Sequence, residues 1–382
     1  MPSQILHTLF GEDVVYEIYR ALGGRFGIVA GKAMEKITRE YKNVFALGCQ
    51  GPDIFYHNQR TRPYAVEYGT LLHRRGYGVF TANLLKTGLP DPPPSEEDIR
   101  AGRREKGINA LGVYALGFMT HAVLDRFCHP YIVYYSVPLN SPSSGSRTGE
   151  GGSCSLGRTA HPFFERILDV FMLKELRGLP VSSWDQEAVL GAVCEKPPLG
   201  LKELLARSLI ASYPERTGTD KFLAQRVENT FADAARFYRA TNPASNFPRE
   251  WGDDIAGLSR DRIRFLASLF PRSLPPGIDF LNLEHKTWRY PAGTEEEDTR
   301  SFPEIYAGAL DTAVKSLSPC IIQYLEKGTF PIKDAAQSIG NGGLSLQDED
   351  GRPLAPRRTC PLALDKVFEW HVTMGNMREN EG

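Results

Sequence analysis

One stretch limits what this chain can become. From Ala110 to Cys128 almost every residue is apolar, yet His121, Asp125 and Arg126 interrupt the run and His129 follows it. The stretch approaches the length of a membrane span, but an Asp or Arg at the centre of a bilayer costs about 2.5–3.5 kcal/mol. It is therefore read as a helix buried in protein, with no stable membrane insertion. A helix apolar nearly all round has neighbours on every side, so Asp125 is expected inside the core. A buried carboxylate requires a cation or complete hydrogen bonding. Four-residue steps advance side chains by only about 40° on a helix, so His121, Asp125 and His129 can all face one pocket.

The remainder reads the same way. Phe10, Val14, Val15, Ile18 and Leu22 mark one helix, and Leu71, Leu72, Val79 and Leu85 mark another. Further helices are expected near 107–130, 162–177, 202–213, 219–240, 258–270, 304–326 and 362–377, and alternating strand patterns are scarce. The expected class is all-α, multi-helical, with a buried metal cluster. Breaker-rich segments fall at Leu89–Ser95, Asn140–Gly157 and Ser338–Pro361. The expected organisation is one helical domain over 1–335, a flexible loop over 336–361, and a C-terminal helix and tail over 362–382.

Lys+Arg 45 against Asp+Glu 46 leaves a formal net charge of −1, so no basic surplus advertises nucleic acid or anionic lipid as a partner. The opening Met1-Pro2-Ser3-Gln4 has no export leader, which sets the expectation of a cytoplasmic protein. Six cysteines are scattered without a C-x-x-C pair and are read as free thiols, Cys128 as a small buried hydrophobe.

Other candidate ligands surround the central helix in sequence. His161-Pro162-Phe163-Phe164-Glu165 sets a His/Glu pair at i, i+4 behind a proline of the kind a first helical turn tolerates. His73 lies in the apolar run from Tyr64 to Leu85, and His7 just ahead of the first helix. Asp53 sits in Gly48-Cys49-Gln50-Gly51-Pro52-Asp53, a turn able to aim a carboxylate inward. Each has an ordinary reading beside the metal one: a structural Asp–His pair, a core histidine bonded to a carbonyl, a turn-capping aspartate. His57 is ambiguous, and His285 and His371 lie in polar or C-terminal surroundings. Repetition favours metal, and a mixed histidine and carboxylate set suits zinc.

The opening Met-Pro-Ser-x-x-x-His7-x-x-Phe-Gly, the Gly-x-x-Gly-Pro-Asp53 turn, the His121-x-x-x-Asp125-x-x-x-His129-Pro helix and the His161-x-x-x-Glu165 pair together resemble zinc-dependent phospholipase C of the cytoplasmic bacterial branch. The resemblance covers roughly residues 2–175. More distantly the arrangement is similar to the secreted phospholipases C and to the three-zinc, single-strand-specific nucleases of fungi and plants.

By that resemblance Asp53, His73, His121 and Asp125 surround one zinc, while His129, His161 and Glu165 hold a second. His7 and Asp125 hold a third together with the amino terminus, at Pro2 once the initiator methionine is removed, which makes Asp125 a bridge. Two or three zinc ions are thus expected, with Asp53 orienting or deprotonating the attacking water. Asp125 and His129 stand four residues apart here, where the secreted enzymes space the pair six apart. The choline-recognising residues do not map, since Ile54 follows Asp53 where an aromatic is sought, so substrate choice does not transfer. Of the nearby aromatics, Phe55, Tyr56, Tyr131, Tyr134 and Tyr135, most are read as core packing. The expected activity is hydrolysis of a phosphate ester, with a phospholipid head group favoured. A nuclease is the enzymatic alternative, less favoured on the balanced charge, and a zinc-stabilised scaffold is the non-enzymatic one. Oligomeric state stays open.

Overall fold

The computed structural model describes residues 4–89, 95–102, 108–139, 156–245, 259–293, 296–327 and 331–377. The fold is all-α, and the strands among the described residues are one two-residue antiparallel pair, Trp288–Arg289 with Glu297–Asp298.

The organising element is the central helix Ala110–Ser136, begun by Asn109, whose side chain accepts a 3.0 Å hydrogen bond from the Gly112 N–H. That bond satisfies one of the donors every helix start leaves unpaired. The helix is enclosed by helices Lys42–Cys49, Tyr77–Gly88, Phe302–Lys327, Gln4–Glu35 and Ala160–Arg177, which is why its sequence is apolar on every side. No helix among the described residues is long and apolar enough to cross a membrane. The central helix also runs past Pro130, where the sequence pattern had suggested its end. A proline removes one backbone bond, and burial of Tyr131, Ile132, Val133 and Tyr135 beyond it offsets that loss.

The central helix crosses Lys42–Cys49 at close quarters. A Cβ at Gly48 would stand 2.3 Å from the Tyr114 carbonyl oxygen, and one at Gly117 would stand 2.5 Å from that of Phe45. Only glycine lets the two backbones touch here.

Leu71 to Leu85, read as one helix, is two: Val66–Arg74 and Tyr77–Gly88, broken at Gly76 with φ 73°. The Tyr213 hydroxyl donates to the Arg75 carbonyl at 2.6 Å, satisfying backbone that the break frees. A further helix follows over Ile332–Ile339. Residues beyond it are held by hydrogen bonds to the central helix and to the turn at Gly76. The C-terminal helix Leu364–Met377 docks on Ala160–Arg177, with the rings of Phe163 and Phe368 edge to face at 5.5 Å. One continuous apolar core runs from Leu6 to Val372.

Candidate metal centre

Five elements converge on Asp125. His121, Asp125 and His129 come from the central helix, His7 from the first helix, Asp53 from the 3-10 turn Gly51–His57, His73 from Val66–Arg74, and His161 and Glu165 from Ala160–Arg177. The turn reaches inward because Gly51 adopts φ 54° and lies against His121, where a Cβ would come within 2.4 Å of the imidazole. Asp169 anchors the start of the first helix by accepting from the N–H groups of Gln4 and Leu6 at 3.1 and 2.8 Å, which sets His7 one turn inside.

Three groups of ligand atoms result: His7, His121 and Asp125; Asp53, His73 and His121; His129, His161 and Glu165. His7 Nε2 is 3.2 Å from Asp125 Oδ1, and His121 Nε2 is 3.2 Å from Asp125 Oδ2. His73 Nε2 is 3.0 Å from Asp53 Oδ1 and 3.7 Å from Asp125 Oδ2. His129 Nδ1 is also 3.7 Å from Asp125 Oδ2, while His129 Nε2 and His161 Nε2 stand 3.7 and 3.3 Å from Glu165 Oε1. Donors held about 2.0–2.2 Å from a tetrahedral zinc are about 3.3–3.6 Å apart. The observed spacings bracket that edge.

Hydrogen bonding points the same way. His121 Nε2, Asp53 Oδ2, Asp125 Oδ2 and Glu165 Oε2 are buried without a hydrogen-bond partner among the described residues. Buried polar atoms left unpaired are costly, and His121 Nε2 stands 3.2 Å from Asp125 Oδ2 and 3.7 Å from Asp53 Oδ2, spacings that an ion between them would span. The outer nitrogens of three of the histidines, by contrast, are engaged, whereas His7 Nδ1 is buried without a partner among the described residues. His73 Nδ1 lies 2.7 Å from the Gly69 carbonyl, His121 Nδ1 3.2 Å from that of Cys49 and His129 Nδ1 2.8 Å from that of Leu344. A carbonyl only accepts, so each Nδ1 carries the proton and each Nε2 lone pair turns to the centre.

Electrostatics completes the fit. Burial opposes ionisation of Asp125, but His121 and His129 beside it outweigh burial and hold its carboxyl well below the usual carboxylate range. Glu165 is likewise held low, against burial, chiefly by His161. Burial disfavours a charged His129, yet Asp125 and Glu165 push it up to about 9. His121 is shifted down, chiefly by burial. Anionic carboxylates thus draw protons onto a neighbouring imidazole, as they would draw a cation. The residues present suit zinc.

His7, Asp53, His73, His121, Asp125, His129, His161 and Glu165 come together in this cluster, and Pro2 lies outside the described residues. Relative to the expected grouping, it is His121 that belongs to two groups, while Asp125 touches histidines of all three. His57 stays apart, stacked on Phe237 at 4.3 Å and pushed down to about 3 chiefly by burial. His371, in the C-terminal helix, is buried against Phe163 and Phe368, and His285 is exposed. Cys128 is buried and belongs to none of the three ligand groups found among the described residues. Phe55, Tyr131 and Tyr135 are buried core rings, whereas half-buried Tyr56 lies 5.0 Å from His73. What sequence reading missed is the carbonyls of Cys49, Gly69 and Leu344, since a backbone oxygen leaves no mark on residue identity.

Residues 17–238 match the family model described as zinc dependent phospholipase C, more than half of the chain. The chain belongs to that family. No curated protein and no solved structure matches it. The matched segment contains every ligand candidate of the cluster except His7, which precedes it.

Proposed function

We propose that this member of the zinc-dependent phospholipase C family hydrolyses a phosphodiester with an activated water, a phospholipid head group being the favoured substrate. What carries the reading is the gathering of three ligand groups around one ionised carboxylate, Asp125, in a chain of this family. Bound zinc ions supply Lewis acidity towards phosphate oxygens and lower the pKa of water within their reach to about 7.

The chain's own groups divide the remaining work. Asp125 would hold metal and Asp53 would handle the proton: Asp53 Oδ1 is engaged near His73, while buried Oδ2, without a hydrogen-bond partner among the described residues, would orient an attacking water and accept its proton. His7 and His121 close the inner side, being 3% and 0% exposed. The partly exposed His129 and His161 mark the side from which substrate enters, with Tyr56 near its rim beside His73.

The test is zinc counting on purified protein, followed by incubation with phosphatidylcholine, single-stranded DNA, RNA and an aryl phosphodiester. Zinc-dependent release of diacylglycerol is expected. Asp53→Asn should lower turnover by about 10²–10⁴-fold, the range of a general base, while keeping more zinc than Asp125→Asn. Faster cleavage of DNA or RNA than of lipid would make the protein a nuclease. Bound zinc with no hydrolysis of any substrate would make it a scaffold.

A further inference from the structure

Six consecutive carbonyls, from Ile339 to Leu344, all accept hydrogen bonds, and every donor lies on the central helix or on the turn that follows His73. Arg126, next to Asp125, supplies most of them. Its guanidinium donates to Ile339, to Gly340 at 3.1 Å, to Gly342 at 3.3 Å and, through Nε, to Gly343 at 3.1 Å. Gly78 and Gly76 donate to Gly340 and Asn341 at 3.0 and 2.8 Å, and His129 Nδ1 bonds Leu344 at 2.8 Å. The Leu344 N–H donates back to the His73 carbonyl at 2.9 Å, so one buried residue touches two ligand histidines. The segment lies outside the family-matched 17–238.

An arginine fork is suited to planar carboxylates, and here the hydrogen bonds it makes are spent on backbone. The result fixes the path of a chain that glycines would otherwise leave loose. Gly340 adopts φ 81°, and a Cβ there would stand 3.2 Å from Arg126 Nη1. Orientation of His129 depends on that path, because the Leu344 carbonyl decides which ring nitrogen carries the proton.

We propose that residues 339–344, locked by Arg126, form a brace that positions His129 and thereby sets metal affinity at the His129, His161 and Glu165 group. This rests on the metal-centre reading above and adds Arg126 to it as a positioning residue.

The experiment measures zinc stoichiometry and stepwise affinity on the full chain for the native protein, Arg126→Met, Arg126→Lys and Gly340→Ala. Nitrogen-15 NMR of the histidines reports tautomers alongside. Arg126→Met should weaken one class of bound zinc by about 10–100-fold, the usual effect of removing an outer partner of a ligand histidine, and should blur the His129 tautomer. Arg126→Lys should recover part of the affinity, and Gly340→Ala, which keeps the charge, should reproduce the loss. In a His161→Ala background Arg126→Met should cost the remaining ions less than about twofold, because coupled sites are non-additive. Unchanged affinity, or equal weakening of every ion, would overturn the brace while leaving the centre intact. A native protein that binds no zinc would remove the centre and the brace together.

Discussion

His121 takes part in two ligand groups and is sealed from solvent, with Asp125 beside it in contact with histidines of all three; Glu165 serves one group, whose histidines reach the surface. Shared ligands make the inner positions depend on one another, whereas an unshared set at the rim can be emptied alone. The difference gives the cluster a hub and an edge, and substitutions should separate them.

The largest effect is expected at the hub. Removing one partner of a buried charge pair costs about 3–5 kcal/mol, so Asp125→Asn should lower zinc affinity by roughly two to four orders of magnitude and release more metal than any other single change. Full zinc content in that variant, measured by elemental analysis, would dissolve the distinction between hub and edge. Next come His121→Ala and His161→Ala. The first should empty two positions and the second one, and equal losses would mean that His121 is not shared.

A smaller effect concerns pH in the metal-free protein. His129 is raised to about 9 by Asp125 and Glu165 against burial, so its contribution to stability is full below about pH 6.5 and is lost as pH rises towards 9. His7 is shifted the same way, its bond to Asp125 outweighing burial. His121 is shifted down, and its contribution is lost instead as pH falls below about 6.5. The melting temperature of the metal-free protein should therefore fall from pH 6.5 to 9. With zinc bound that fall should vanish, because the metal competes with the same protons. A metal-free protein whose melting temperature stays level across this interval, or whose fall is undiminished in His129→Ala, would show that the edge holds no such proton. The smallest effects are expected outside both regions: His285→Ala and His371→Ala should leave zinc content unchanged, with only the buried His371 affecting melting.

Much of the hub was readable because helical spacing converts sequence intervals into angles: His121, Asp125 and His129 had to share a face, and His161 with Glu165 likewise. The helices were readable for the same reason, their apolar periodicity surviving at every core position. What could not be read depends on where backbone goes. Nothing in Arg126 says that it binds carbonyls more than two hundred residues away, nor in Leu344 that its oxygen meets an imidazole. The split at Gly76 was hidden because the apolar pattern continues across it, and His57 stayed ambiguous because its stacking partners come from a distant helix.

The glycine crossing of the central helix carries one more consequence, for the insertions and deletions this protein can tolerate. Gly117 lies one helical turn before His121 and is pinned by the backbone at Phe45. A single residue inserted between them would leave the crossing in place yet rotate His121, Asp125 and His129 by about 100°, turning all three away from Asp53 and Glu165 at once. Length in that one turn is therefore under tighter constraint than residue identity: an alanine at any one ligand removes one donor, whereas an added alanine at residue 119 removes three.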